Sequence, residues 1–407
     1  MRRVAALLAL GLLTGACTHV SDAPIVLGAL YPLRGTQGAY GTAEFRGVVT
    51  AVELFNARGG VDGRPIRLRA ADTPDVDAAW EEAHRMARAG VRALIGSYGS
   101  TLSLAASEVA HDEGMLFWET GAVADLVTAR GYPEVFRTGP SGATLAAQAT
   151  RFTLEVLAPK FGIAAEDLRV VVVYEDDPYG ASVGEGVMRE ARALGFDLIG
   201  VFPYDPVTEG FDGIVERIDA LGPDVVVAAT YLEDGARFRE KLLEQGVELK
   251  ALVAKCAAFY TPEMAALLGE DINGIFVADK PMAIAPGALR PEGRELEREL
   301  QRRYRARYGE DPTAAAYMGF SGAWALLTGV IARAPSLDLE DLQRAARALD
   351  MPEGSLPNGS GIRFARDGGM MGQNMRALGV VWQWQDGEPV LVYPPSAARG
   401  NPTLAPV

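Results

Sequence analysis

The chain has 407 residues, enough for two or three domains at roughly 150 residues each. Hydrophobic residues make up 49% and charged residues 23%, which excludes a disordered chain and a membrane-embedded body. The 39 Lys and Arg stand against 53 Asp and Glu, a formal net charge of −14 with no basic stripe, so nucleic acid is not expected as a partner.

Met1-Arg2-Arg3 is followed by an apolar run of ten residues, Val4 to Leu13, and then by Thr14-Gly15-Ala16-Cys17. A bilayer span needs about 20 apolar residues, so the run is too short to cross and stay. A basic start, a short apolar core and small residues before a cut mark residues 1–17 as a secretory signal. The cysteine after Gly15-Ala16 resembles the lipobox of bacterial lipoproteins, although Thr14 stands where leucine is usual. The resemblance implies that the Cys17 thiol is acylated and tethers the mature chain to a membrane leaflet. Cys256 is then the one other thiol, in a strand context that reads as an inert core position, and no disulfide forms within the mature chain. Loss of Arg2 and Arg3 makes that chain more acidic still.

From residue 25, short β-branched runs alternate with amphipathic segments. Strands are predicted at Ile25 to Tyr31, Ile66 to Ala71, Ala93 to Gly96, Met115 to Trp118 and Val135 to Thr138. Helices such as Phe45 to Ala57 and Ala78 to Ala89 lie between them. The turn-rich stretch Thr138-Gly139-Pro140-Ser141-Gly142 breaks the series and suits a hinge. A second series begins at Arg169 to Tyr174, whose four consecutive valines fit a strand covered on both faces of a parallel sheet. It continues through Leu198 to Phe202, Val225 to Ala229, Ala251 to Ala254 and Ile275 to Ala278. Three helical patterns follow at 291–308, 312–332 and 338–348, then antiparallel candidates at 361–364, 376–384 and 388–393. Asp386-Gly387 between the last two is a hairpin signal. Two strand–helix series predict an α/β fold of two doubly wound parallel-sheet lobes.

Several motifs recur in a telling order: Gly28-Ala29-Leu30-Tyr31-Pro32-Leu33-Arg34-Gly35 with Ala39-Tyr40-Gly41, Phe55-Asn56-Ala57-Arg58-Gly59-Gly60-Val61, Ile95-Gly96-Ser97-Tyr98-Gly99-Ser100, Leu126-Val127-Thr128-Ala129-Arg130-Gly131-Tyr132, and Tyr174-Glu175-Asp176-Asp177-Pro178-Tyr179-Gly180. Together they resemble the type I periplasmic solute-binding proteins, in particular the leucine/isoleucine/valine-binding branch that feeds ABC importers. The resemblance covers essentially the whole mature chain. It implies two lobes joined by a three-strand hinge, with crossings near Gly139, Asp279 and Gly354. Residues 24–138 plus 280–352 form the first lobe on this reading, 139–279 plus 353–395 the second, and 396–407 a flexible tail.

In open α/β sheets ligands bind beyond the carboxyl ends of the strands, which places Ser97 to Thr101 at a cleft. Unpaired amides at the start of the following helix, with its dipole behind them, hold a carboxylate without a cation. By resemblance the Ser100 side chain takes the ligand carboxylate; a helix cap is its other reading. Gly121-Ala122-Val123 follows the next strand in the same way. Val123 stands where amino-acid binders of this branch commonly carry a Thr, so it keeps the amide and loses a hydroxyl for the ligand ammonium. The resemblance also brings Tyr40 and Tyr98 from the first lobe and Tyr179 and Tyr231 from the second to the cleft. A phenol there offers an apolar face and one polar handle. Lys255 lies near the position at which amino-acid-binding relatives place a Glu for that ammonium. No acid occurs between Lys250 and Glu263, so either Glu119, Glu233 or Asp234 substitutes or the ligand has no ammonium. Lys255 itself either favours a second anionic group or ends its strand in water.

Gly180-Ala181-Ser182-Val183-Gly184 matches the nucleophile-elbow pattern, but Glu175 to Tyr179 separate it from its strand and His19, His84 and His111 all precede it. Scattered histidines make no zinc site and no phosphate-cradling G-x-x-x-x-G-K-[ST] loop is present, so no metal, cofactor or catalysis is expected. The resemblance implies a monomeric, lipid-anchored receptor outside the cytoplasmic membrane. It would close on a small carboxylate-bearing solute, an amino acid or an ammonium-free organic acid, and present it to an ABC permease and its ATPase. A ligand sensor of the same fold without a transport role is the alternative.

Overall fold

The computed structural model describes residues 23–207, 210–255, 259 and 261–404; the expectations for the signal segment, Cys17 and Cys256 lie outside these. Strands β1 (Ile25–Tyr31), β2 (Ile66–Asp72), β3 (Ala93–Gly96), β4 (Leu116–Glu119) and β5 (Val135–Arg137) form one sheet in the order β2-β1-β3-β4-β5, parallel throughout. Strands β6 (Val170–Glu175), β7 (Gly200–Tyr204), β8 (Val225–Ala229), β9 (Ala251–Lys255) and β10 (Phe276–Asp279) form the parallel part of a second sheet. The short strands β11 (Asp350–Met351) and β12 (Ile362–Arg363) pair with each other, and β13 (Val380–Gln385) and β14 (Glu388–Tyr393) extend the second sheet antiparallel from β10. Asp386 and Gly387 both take positive φ, 51° and 78°, the twist-matched geometry of a two-residue hairpin.

Helices cover both faces of each sheet, so the valines Val170 to Val173 are buried whichever way they point. The helix Gly38–Ala57 starts seven residues before the predicted Phe45. Its glycines are poor helix formers, yet they are required by packing against the helix Ala314–Ala325. A Cβ at Gly47 would lie 2.1 Å from the Ala316 carbonyl, and one at Gly319 would lie 2.0 Å from the Glu44 carbonyl. That second helix runs on as a wider turn to Ile331; the stretch is apolar enough to cross a bilayer but 94% buried, so it is a core helix.

Two expected boundaries differ. Leu356, Ile362 and Phe364 pack in the core of the first sheet, with Phe364 meeting the rings of Trp118 and Phe136 edge-on at 5.3 and 5.0 Å. Backbone pairing from Gly372 and Asn374 onto Arg137 extends the same lobe. The segment 353–375 therefore sits with the first lobe, and the third passage lies between Arg376 and Val380 rather than near Gly354. Residues 396–404 are not a loose tail: Arg399 N–H reaches the Leu391 carbonyl at 2.8 Å and Thr403 N–H reaches Gln383 Oε1 at 2.8 Å. At the hinge, Asn374 and Gln373 donate to the carbonyls of Thr138 and Gly139 at 2.8 and 2.9 Å.

Candidate functional site

The helix Ser100–Asp112 leaves β3 through Gly99, an extended residue whose missing side chain caps nothing. Ser100 is the first helical residue and not the cap, so the first amides of the helix face forward without a side-chain acceptor. Its Oγ accepts the Ala124 amide at 3.2 Å and keeps its own proton to donate. In front of it lies a small cavity between the lobes. Six predicted residues line it: Tyr98, Ser100, Gly121 and Val123 from the first lobe, Tyr179 and Tyr231 from the second. Tyr40 stacks on Tyr98 at 5.3 Å and lines an adjoining opening. Tyr40, Tyr98 and Val123 share one apolar cluster with Tyr179, so the lobes are closed on each other. Ser182, far from being a nucleophile, donates to the Pro178 carbonyl and accepts the Asp125 amide at 3.0 Å across the lobe boundary.

The loop after β4 departs from expectation. The amides of Gly121 and Ala122 donate to Glu119 Oε1 at 2.6 and 2.7 Å, while Oε2 accepts the Ser97 amide at 3.0 Å and the Ser103 hydroxyl. A buried internal carboxylate thus occupies the nest intended for the ligand, and Val123 supplies the remaining amide of this loop. Glu119 is equally unavailable to an ammonium. Behind it, Glu44 accepts the Thr120 hydroxyl on one oxygen while its other oxygen has no partner among the described residues. Burial pushes Glu44 up to about 8 and Glu119 up to about 7. Four donors hold the charge on Glu119, so Glu44 is the member of the pair that keeps the proton.

Lys255 does not end its strand in water. It is 1% exposed, its carbonyl accepts the Tyr179 hydroxyl at 2.6 Å, and its ammonium has no hydrogen-bond partner among the described residues. Burial lowers it to about 7 against the pull of Asp279. Neither Lys255 nor Ala122 is among the side chains lining the cavity. Three residues the sequence reading missed do line it: Gln37, Asp279 and Lys280. Lys280 donates to the Gly121 carbonyl and stands 5.0 Å from the Tyr98 ring centroid, tying the crossing strand to the first lobe. Asp279 is buried, raised by desolvation and pulled back by Lys280 and then Lys255. The available signal was a charged pair closing a strand where the chain changes lobes.

The other acids sit further out. Asp234 is engaged by the Tyr231 amide at 2.9 Å and by the Tyr204 hydroxyl; Asp177 accepts the Tyr231 hydroxyl at 2.8 Å and caps the Gly180 amide at 2.6 Å. Glu233, Glu175 and Asp177 line the adjoining opening, where burial and then Asp177 push Glu175 up to about 8. His84 and His111 pair with Glu113 and Glu134, and no cluster of metal-binding side chains occurs among the described residues.

A family model for periplasmic binding proteins matches residues 24–388. The Leu/Ile/Val-binding protein homolog 8 of Brucella abortus (strain 2308) is 31% identical over 379 residues, covering 92% of each chain. Among solved structures, a leucine-binding protein from Thermotoga maritima MSB8 superposes with a TM-score of 0.75 at 21% identity, over 90% of this chain and 97% of that one. A solute-binding protein of an ABC transporter from R. palustris, solved with benzoate, gives 0.71 at 20% identity over 93% and 98%.

Proposed function

The chain belongs to the periplasmic binding protein family, whose members bind solutes for ABC transporters and are not enzymes, and from that premise we propose that it is a lipid-anchored receptor closing on a small carboxylate-bearing solute. Family membership places its work outside the cytoplasm and implies a permease and an ATPase as partners. Acylation of Cys17 keeps the receptor beside that permease, and the mature protein acts as a monomer.

The observation that carries the ligand class is the uncapped start of the helix Ser100–Asp112, aimed at a cavity that tyrosines of both lobes enclose. Backbone N–H groups, the helix dipole and the Ser100 hydroxyl hold a carboxylate, while Tyr98, Tyr179 and Tyr231 cover an apolar body. Relatives named for leucine, isoleucine and valine binding support a ligand of this kind. Lobe closure around the solute then signals occupancy to the membrane partner.

The test is calorimetry on Ser100→Ala with the tightest carboxylate found in a thermal-shift screen. Loss of the hydroxyl is expected to weaken binding at least tenfold, about 1.4 kcal/mol. Unchanged affinity removes the anion site from this helix.

A further inference from the structure

We propose that the solute is a carboxylic acid without an ammonium group, selected by a cationic floor made of Lys280 and Lys255 around Asp279; this rests on the receptor reading above. Counting what each wall offers a ligand leads there. Among the described residues, Asp279 is the one acid that lines the inner cavity. One of its oxygens already accepts the Lys280 amide at 2.7 Å, and two lysines act on its charge. Glu119 is saturated by four donors, and Glu44, which lies beside Gly121 within reach of the Lys280 charge, is not among the residues lining the cavity. Positions 256–258 and 260, which adjoin the site in the chain, are Cys, Ala, Ala and Tyr and bring no acid.

Donors, by contrast, converge. The Ser100 hydroxyl and the helix start lie on one side, and Lys280 lies on the cavity wall. Lys255 stands just behind the wall: Tyr179, which its carbonyl holds, and Asp279, which its charge acts on, both face the cavity. Its buried ammonium, without a hydrogen-bond partner among the described residues, is a donor in need of an acceptor. A ligand ammonium would meet the Lys280 charge on the wall, with Lys255, lowered by burial to about 7, behind it and one shared carboxylate between them, which is a poor exchange for its hydration. A 2-oxo acid instead brings a carbonyl acceptor to these donors, and an unsubstituted acid brings no ammonium to oppose them. At the outer opening Asp177 and Asp234 are spent on Tyr231 and on a helix start, and Glu175 and Glu233 line that opening and not the inner cavity.

The experiment screens full-length mature protein, freed of bound solute by unfolding and refolding, against amino acids paired with their 2-oxo and deaminated counterparts: leucine with 4-methyl-2-oxopentanoate and 4-methylpentanoate, phenylalanine with its analogues, and so on. Thermal shift ranks the panel and calorimetry at pH 7 measures the best pair. The expected result is an ammonium-free acid binding at least tenfold tighter than its amino-acid partner, with Lys280→Met losing at least tenfold for the acid. If Lys280→Met does not fold, Lys255→Met is read instead. An amino acid binding as tightly as its counterparts overturns this inference and leaves the receptor reading intact. A panel in which no compound of either kind binds overturns the receptor reading as well.

Discussion

Lys255→Met isolates the cost of holding inside the second lobe an ammonium that has no hydrogen-bond partner among the described residues. Methionine keeps the length and volume of the side chain, and the Tyr179 bond survives because it is made to the backbone carbonyl. Lowering the ammonium from 10.5 to about 7 corresponds to roughly 5 kcal/mol at about 1.4 kcal/mol per pH unit. The pull of Asp279 is already contained in that shift, so roughly 5 kcal/mol is the upper bound on the stabilisation expected of Lys255→Met below pH 7. The sign follows from proton counts. Between pH 7 and 10.5 the unfolded chain holds the Lys255 proton and the folded chain does not, so wild-type stability rises with pH across that window. Below pH 7 both states are charged and the full penalty applies. Urea midpoints at pH 6 and at pH 9 to 10 are therefore expected to favour Lys255→Met strongly at the lower pH, with the gap shrinking at the higher. A variant less stable than wild type at pH 6, or a gap that ignores pH, refutes the argument. If the stabilised variant also loses its ligand, the buried lysine is a stability cost borne by the binding site.

The two buried carboxylates of the first lobe should answer oppositely to neutralisation. Glu44 is raised to about 8, so the folded state keeps a proton that the unfolded state loses above about 4.5, and stability falls as pH rises through that interval. Glu44→Gln should remove that slope and be more stable than wild type at pH 8. Glu119→Gln turns an amide donor toward donors and should cost roughly 2–3 kcal/mol at neutral pH; equal melting curves for the two variants would show the proton assigned to the wrong residue. Phe364→Ala should cost about 3–4 kcal/mol, because its ring fills the space between Trp118 and Phe136. Urea unfolding followed by tryptophan fluorescence checks it, and an effect below about 1 kcal/mol would sever this segment from the first lobe.

Element order was legible because strand and helix periodicities differ and the chain keeps them clean. Val170 to Val173 can be buried only in a two-sided sheet, and Asp386-Gly387 can take the paired positive φ angles that most residues resist. What escaped depended on contacts remote in sequence. Nothing local near Gly38 announces a helix; the turns from Gly38 onward hold because the helix lies backbone-to-backbone on Ala314–Ala325. Likewise Leu356 to Phe364 carry no periodic pattern, and their lobe is decided by the aromatic pocket that receives Phe364.

The site divides along the same line. Residues following strand ends, Ser100 and Val123 among them, line the candidate cavity because topology alone sends such loops to a cleft. Hydrogen-bond ownership has no such rule. From sequence, the amides of Gly121 and Ala122 and the carboxylate of Glu119 read as separate resources, one for a ligand's anion and one for its cation. In the fold they cancel each other two residues apart, and this removes both at once. The Tyr179 and Tyr231 hydroxyls are already donated to the Lys255 carbonyl and to Asp177, and the other polar side chains on the cavity wall include Ser100, Asp279, Lys280 and Gln37. On the proposal of an ammonium-free solute, a lysine on the wall and another behind it should discriminate by charge before shape enters, since a misplaced ammonium costs several kcal/mol while one extra methylene costs about 1–3.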